Sequence, residues 1–213
     1  MSTPLFYRST FLYDLLMRVL YRRYWNERGE ALAQYIDPKS SVLDICCGTG
    51  ELYRKHLRQK GVIYEGVDLN SVFIQNLQAQ GVTAVCADAL SYPIEPRSYD
   101  YVVLQGSLSE FPVSERRALL GRLHRGARKG LLLSESVRHL IYNSNPFIKW
   151  FASRIGRPLR GAHKQIAERY RPDALEDFMQ PLKTYLQDKK LICGGRTMLY
   201  ALRAKTDLDE KAP

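Results

Sequence analysis

Asp44-Ile45-Cys46-Cys47-Gly48-Thr49-Gly50 constrains this chain more than any other stretch. The short apolar run Ser41-Val42-Leu43 leads into it and reads as a buried strand. Gly48 and Gly50 permit a tight turn and a close backbone approach to a ligand, because neither carries a Cβ. Glu51 to Lys60 follows with helical character and stops at Gly61, the residue type favoured just past a helix C-terminus. Strand, glycine turn and helix make the first half of a nucleotide-binding βαβ unit. A Gly-x-Gly pair also occurs in turns that bind nothing. Asp44, at the strand end before the glycines, adds a carboxylate that a phosphate-binding turn has no need of.

The same pattern recurs. Val62 to Val67 is a second strand-like run and ends in Asp68, roughly 20 residues past the turn, where an acidic side chain meets a ribose. Val82 to Cys86 ends in Asp88-Ala89, and Tyr99 to Leu104 ends in Gln105-Gly106-Ser107. In an open α/β sheet the carboxyl ends of the strands face one crevice, so these polar groups converge on one ligand. The alternative for the acidic residues is that they only cap the helices that follow.

This series resembles the class I S-adenosylmethionine (SAM) methyltransferases. The residues that carry the resemblance are VLDICCGTG (42–50), GVDLN (66–70), CADAL (86–90) and YDYVVLQGSL (99–108). The Cys-Cys-Gly-Thr-Gly wording, with Tyr13-Asp14-Leu15-Leu16-Met17 upstream, is similar to the ubiquinone and menaquinone C-methyltransferases. The resemblance implies a Rossmann-like α/β fold: a doubly wound, mostly parallel sheet with an antiparallel C-terminal strand and helices on both faces. It implies SAM as cofactor. Gly48 and Gly50 then lie against the cofactor's amino acid end, and Asp44 accepts a hydrogen bond from the ammonium or a bridging water. Asp68 takes the ribose hydroxyls, since a carboxylate offers two acceptor oxygens. Leu69 packs on the adenine, Asp88 and Ala89 meet its edge, Gln105 and Gly106 present carbonyls near the methionine part, and Tyr13 and Cys46 lie beside the cofactor.

The rest of the chain is expected to close this site. Residues 9–36 read as helical, with Leu12, Leu15, Leu16, Val19 and Leu20 at three- and four-residue intervals. These helices either pack on the sheet edge or form a lid over the cofactor. Ser71 and Ser114 are placed to cap two further helices, the first ending at Gly81 and the second near Gly126 to Gly130. Leu131 to Leu133 is a fifth strand, ending in Ser134-Glu135-Ser136. Residues 138–172 contain no clean strand, and an insertion of that length in a domain is usually functional. Asp173 to Met179 is a short helix. Leu182 to Cys193 and Arg196 to Lys205 flank Gly194-Gly195 as an antiparallel hairpin. The expectation is one domain over residues 1–213, with a helical lid at 1–36 and a substrate cap at 138–172.

Composition restricts what the site serves. Of 213 residues 45% are apolar, enough for a true core. No apolar run approaches the ~20 residues of a membrane span, and the N-terminus lacks the apolar segment of a signal peptide, so a cytoplasmic protein is expected. Cys46, Cys47, Cys86 and Cys193 form no Cys-x-x-Cys pair and read as reduced, buried thiols; no metal site is expected. The net charge of +10 concentrates in Arg116 to Lys129, read as a solvated helix face, and in Arg154 to Arg171, in the substrate cap.

Methyl transfer from a sulfonium needs a general base only when the acceptor starts protonated. His56 and His124 fall on helices expected at the surface. His163, close to Tyr170, is the candidate base because imidazole titrates near neutrality, or else a solvated loop histidine. Ser107, Asn143 and Tyr170 are candidate acceptor contacts. No dedicated nucleic-acid module follows, and Gln105-Gly106-Ser107-Leu108 is not the Asn/Asp-Pro-Pro-aromatic run of amino-methylating nucleic-acid enzymes. A small-molecule acceptor is therefore expected, aromatic or lipophilic from Tyr142, Phe147, Trp150 and Phe151. Two other readings stand beside it: a SAM-consuming cyclase or lyase that releases methylthioadenosine, and a SAM-binding RNA- or membrane-associated module.

Overall fold

The computed structural model describes residues 8–21, 23–137 and 172–206. Helices α1 (Thr10–Tyr21) and α2 (Arg23–Ala33) precede strand β1 (Ser41–Ile45). Strands and helices then alternate as β2 (Ile63–Asp68), α3 (Ser71–Ala79), β3 (Ala84–Cys86), β4 (Tyr99–Gln105), α4 (Val113–Gly126) and β5 (Ala127–Ser136). Helix α5 (Pro172–Met179) and strands β6 (Leu186–Ile192) and β7 (Thr197–Arg203) follow. The strands form one sheet in the order β3-β2-β1-β4-β5-β7-β6. β1 to β5 pair in parallel, and β7 runs antiparallel to both β5 and β6. This is the mostly parallel sheet with an antiparallel end that the sequence predicts.

Side chains alternate across the pleat and divide the core in two. Val42, Val103, Leu132 and Leu199 face Leu32, Leu57, Ile74 and Leu77 on one side. Leu43, Val102, Leu131 and Tyr200 face Leu119, Leu123, Leu175 and Met179 on the other. The chain steps from β1 through β2 to β3, then returns to place β4 against the opposite edge of β1. The carboxyl ends of β1 and β4 therefore border the crevice where the winding direction reverses, the usual ligand position in such a sheet.

Several local expectations fail for identifiable reasons. Helix α3 is capped by Asn70, not Ser71: the Asn70 side chain accepts from Val72 N and Phe73 N at 3.0 and 3.4 Å. Ser114 lies inside α4, which starts directly after Pro112, whose fixed φ leads into the first turn. β5 begins at Ala127, and Gly130 lies within it because a Cβ there would stand 2.8 Å from Leu202 O. Gln180–Tyr185 is a 3-10 helix, so the hairpin's first strand starts later than predicted. After the glycine turn the chain forms a π-helical turn at Tyr53–Leu57 and a 3-10 turn at Arg58–Lys60 before Gly61 turns left-handed.

Burial also departs from expectation. His56 and His124 are buried, not on the surface, and His124 Nε2 lies 2.7 Å from Arg203 O. Arg116, assigned to a solvated face, is buried and donates to Phe111 O and Ser109 O at 3.0 and 2.9 Å. Cys86 is exposed, not buried. Helix α1 turns Leu12, Leu15 and Val19 outward with Phe11, instead of packing them on the sheet. Its orientation is set by Asp14, which accepts from Thr49 Oγ1 at 2.7 Å and pairs with Arg54 at 2.9 Å. His139, Asn143, His163 and Tyr170, with the expected cap, lie outside the described residues. No helix among the described residues is long and apolar enough to cross a membrane.

Gly50 is left-handed (φ 69°), and an added Cβ would come within 2.5 Å of Leu77 Cδ2 in the core. Gly50→Ala should therefore destabilise the protein by ~1–3 kcal/mol, the scale of a strained left-handed residue. Urea unfolding of variant and wild type checks this; equal midpoints would show that Leu77 yields without cost.

Candidate functional site

The site is built where β1 ends. Cys46 and Gly48 both turn left-handed, each with φ 56°. Cys47 N donates to Val67 O at 3.0 Å. Gly48 N donates to Asp68 Oδ2 at 2.8 Å, while Asp68 Oδ1 accepts from Asn70 N at 2.8 Å. One carboxylate thus holds the glycine loop to the end of β2. Gly66 allows this approach, because a Cβ there would lie 2.8 Å from Cys47 Sγ and 3.1 Å from Tyr64 OH. A Cβ on Gly48 would meet no atom within 4 Å, so this backbone faces open space.

That space is a cavity of about 270 Å³. Of the predicted site residues, the structure brings Tyr13, Cys46, Gly48, Gln105, Gly106 and Ser107 together on its walls. Tyr13 is held by the Asp14 contacts and by its ring against Phe73, with centroids 5.0 Å apart. Burial pushes the Cys46 thiol up to about 12, helped by the nearby Asp68 and Asp44 carboxylates. It is a neutral wall group at physiological pH.

The acidic strand-end residues sit elsewhere. Asp68 lies behind the glycine loop, and Leu69 beside it is 73% exposed. Asp88 is exposed at the end of β3 and accepts from Leu90 N at 2.9 Å, closing a local turn, whereas Ala89 is buried. These four mark a rim along the ends of β2 and β3. Gly50 is turned into the core against Leu77. Asp44 is fully buried beneath the loop, not at the cavity wall where an ammonium would meet it directly. Its Oδ2 accepts from Tyr64 OH at 2.9 Å, and burial raises its pKa to about 7 against the lowering pull of Tyr64 and Gln105.

Two wall groups, Arg28 and His56, and one buried group behind the wall, Glu135, escape the sequence reading. Arg28, on α2, is buried and lines the cavity; its Nη1 stands 2.7 Å from where a Cβ of Gly106 would be. His56 lines it too, delivered by the π-helical turn. Glu135, at the end of β5, stands behind Gly106: its Oε2 accepts from Leu108 N at 2.9 Å. Burial raises Glu135 to about 7, opposed by the Leu108 N–H and the Arg28 charge. The available signals were Gly29, a glycine inside a helical pattern, and Glu135 closing an apolar strand. Asp44 Oδ1 and Glu135 Oε1 are buried without a hydrogen bond of ordinary geometry among the described residues. An open glycine backbone, a buried guanidinium and acceptor oxygens in reserve suit a ligand with both an ammonium and a carboxylate.

Comparison with known proteins agrees with this geometry. Residues 42–130 match the family described as Methyltransferase domain. The chain is 33% identical over 120 residues to a carboxy-S-adenosyl-L-methionine synthase of Aliivibrio salmonicida, covering 50% of this chain and 49% of that one. It is 33% identical over 123 residues to the Geobacter protein of the same name, covering 51% and 50%. The chain thus spans about half the length of the curated relatives it matches. Among solved structures, magnesium protoporphyrin IX methyltransferase from Synechocystis with bound SAH superposes with a TM-score of 0.63 at 15% identity, covering 94% and 97% of the two chains. A SAM-dependent methyltransferase structure from Methanococcus maripaludis gives 0.65 at 14%, covering 97% of each.

The raised Asp44 value has a consequence for stability. Its folded pKa of about 7 exceeds the ordinary 3.8, so its contribution is full below the unfolded value and is lost as pH rises through about 7. Asp44→Asn keeps the shape and cannot ionise. In ligand-free protein the variant should gain on wild type by ~2–4 kcal/mol between about pH 4 and about pH 8. Denaturant unfolding across that range tests this; a constant difference would mean that Asp44 titrates normally.

Proposed function

We propose, from the match of residues 42–130 to the Methyltransferase domain family, that this chain is a class I S-adenosylmethionine-dependent methyltransferase that binds SAM at the crevice of β1 and β4 and methylates a small aromatic or lipophilic acceptor at oxygen or carbon. The observation that carries this reading is the glycine loop: Gly48 is fixed by Asp68 and opens onto a cavity that also holds Gln105, Gly106 and Arg28. The amino acid end of the cofactor lies along Gly48, with the Gln105-Gly106 backbone facing its ammonium and Arg28 on its carboxylate side. Asp44 acts from beneath, as a buried negative charge when ionised. Asp68 faces the ribose with the lone pairs that Gly48 N and Asn70 N leave over, Leu69 covers the adenine, and Asp88 with Ala89 meets its edge. Tyr13 and Cys46 close the sides.

SAM, when bound, supplies a methyl group already activated on a sulfonium. The protein's task is then alignment, which can contribute up to ~7–11 kcal/mol. Asp14 ties α1 to the glycine loop and so keeps Tyr13 at the cavity, limiting the entry of water. The acceptor side is Ser107 with the segment 138–172, whose aromatic residues suit an apolar ring. Within that segment Asn143 and Tyr170 contact the acceptor, and His163 takes its proton where one is released. A soluble cytoplasmic setting fits this activity.

A second reading has its own support: both curated relatives are named for making a carboxylated SAM. There the cofactor is itself the molecule that changes, as it is in a cyclase or lyase. Mass spectrometry after incubation with SAM alone and then with a cell extract that supplies a methyl acceptor or a carboxyl donor separates these: adenosylhomocysteine marks transfer, methylthioadenosine marks cyclisation or cleavage, and carboxylated SAM marks the relatives' product. A SAM-binding module held on RNA or membrane by its charge would instead lose that association steeply as salt rises.

Calorimetric titration with adenosylhomocysteine should show binding, and Asp68→Ala should weaken it by ~1.5–3 kcal/mol, the scale for a charged hydrogen-bond partner. No heat and no thermal shift with wild type would sink the cofactor reading. For the acceptor side, His163→Phe and Tyr170→Phe should lower turnover while cofactor affinity stays within ~1 kcal/mol. Wild-type turnover in both would remove them from the site.

A further inference from the structure

Gly29 lies in the interior of α2, where glycine costs ~1 kcal/mol relative to alanine. The structure shows what the position serves. A Cβ at Gly29 would stand 2.5 Å from His56 Cδ2 and 2.6 Å from His56 Nε2. The imidazole therefore rests directly on the helix backbone, in the space a side chain would fill. His56 arrives there on the π-helical turn Tyr53–Leu57, a rare conformation that recurs at functional sites. His56 is only 8% exposed and lines the same cavity as Arg28, the residue next to Gly29. No described residue gives its ring nitrogens a hydrogen bond.

A helix glycine, a π turn, a buried imidazole and a buried guanidinium thus border one cavity. We propose that His56 and Arg28 together form a carboxylate-binding site, and that filling it is coupled to uptake of a proton by the His56 ring. The proposal rests on the cofactor reading only for the source of the carboxylate, which is either the amino acid end of SAM or a carboxylic acid bound beside it.

The charges around the ring allow this coupling. From α2 it faces Glu30, which favours the imidazolium, while the Arg28 guanidinium lines the same cavity beside Gly106. From its own turn it faces Lys55, which disfavours the imidazolium, and Glu51, which is paired with Lys55. Across the cavity stand Tyr13 of α1, the Cys46 and Cys47 thiols, and Glu110, which is exposed. Burial is the largest influence and holds the His56 pKa below its usual 6.5, so the empty site carries a neutral ring near pH 7. A bound carboxylate adds an opposite charge and raises that pKa, so binding draws in a proton. Affinity is then greatest at low pH and falls as pH rises through the bound-state value.

Calorimetry of the full chain with adenosylhomocysteine, in phosphate and in Tris, tests this. From about pH 6 to about pH 8 wild-type affinity should fall ~10-fold, and the heats in the two buffers should differ by the proton taken up. His56→Gln should abolish both effects. Gly29→Ala should do the same by occupying the ring's place, in a helix that alanine favours. Methylthioadenosine, which lacks the carboxylate, should bind without proton uptake. Uptake with adenosylhomocysteine assigns the site to the cofactor; uptake only when butanoate is added to the methylthioadenosine complex assigns it to a second ligand. Adenosylhomocysteine binding with an unchanged pH profile in His56→Gln overturns the proposal and leaves the cofactor reading standing. Should adenosylhomocysteine not bind wild type, the cofactor reading fails, and butanoate alone decides: uptake lost in His56→Gln supports the site, and no uptake overturns it.

Discussion

The carboxylate of Asp68 is the contact on which the site depends. Its two oxygens receive Gly48 N and Asn70 N, each at 2.8 Å. This joins the loop after β1 to the start of α3, so the two sides of one half-sheet cannot move independently. Charge-assisted bonds from backbone N–H groups are the stronger kind, and here they hold a loop with three left-handed residues, Cys46, Gly48 and Gly50, in place. The open face of Gly48 and the cavity beside it follow from that constraint. Gly66 and Gly50 serve it as well: each omits a side chain so that Cys47 and Leu77 can close in.

A second tie acts from above. Asp14 reaches Thr49 and Arg54, and Arg54 Nε also donates to Thr49 O at 3.1 Å. The first helix is thereby fastened to the loop by polar contacts and not by its leucines. Its buried side presents Tyr13 and Met17 to the cavity, while Phe11, Leu12, Leu15 and Val19 face outward. Helix position and loop geometry are therefore coupled, so a ligand that shifts the loop also shifts the helix above it.

The sheet was legible in the sequence because buried parallel strands are short apolar runs with polar residues at their carboxyl ends. Ser41–Ile45, Ile63–Asp68 and Tyr99–Gln105 all announce themselves this way. The cavity residues next to those ends, Gly48, Gln105, Gly106 and Ser107, were legible for the same reason. What was hidden depends on tertiary contacts. Periodicity assumes a regular helix, so a π turn that carries His56 inward leaves no mark in the pattern. Arg28 leaves no mark either, because charge on a helix says nothing about which face is covered. The orientation of α1 follows from one long-range carboxylate, against the preference of its own leucines. Asn70 and Ser71 are neighbouring cap formers, and only the side-chain geometry separates them.

The sheet order also dictates a sequence of events during synthesis. β1 leaves the ribosome early, and β2 and β3 can pair on one side of it at once. Its other edge stays bare until β4 emerges, after β2 and β3 have been made. At the far side β7 is made last of all, yet it lies between β5 and β6. A nascent chain that stops short of Thr197 therefore leaves β5 as an open edge, with Gly130 to Ser136 lacking their partners on β7. The last-made strand thus closes the edge of β5 and carries β6 into the sheet with it.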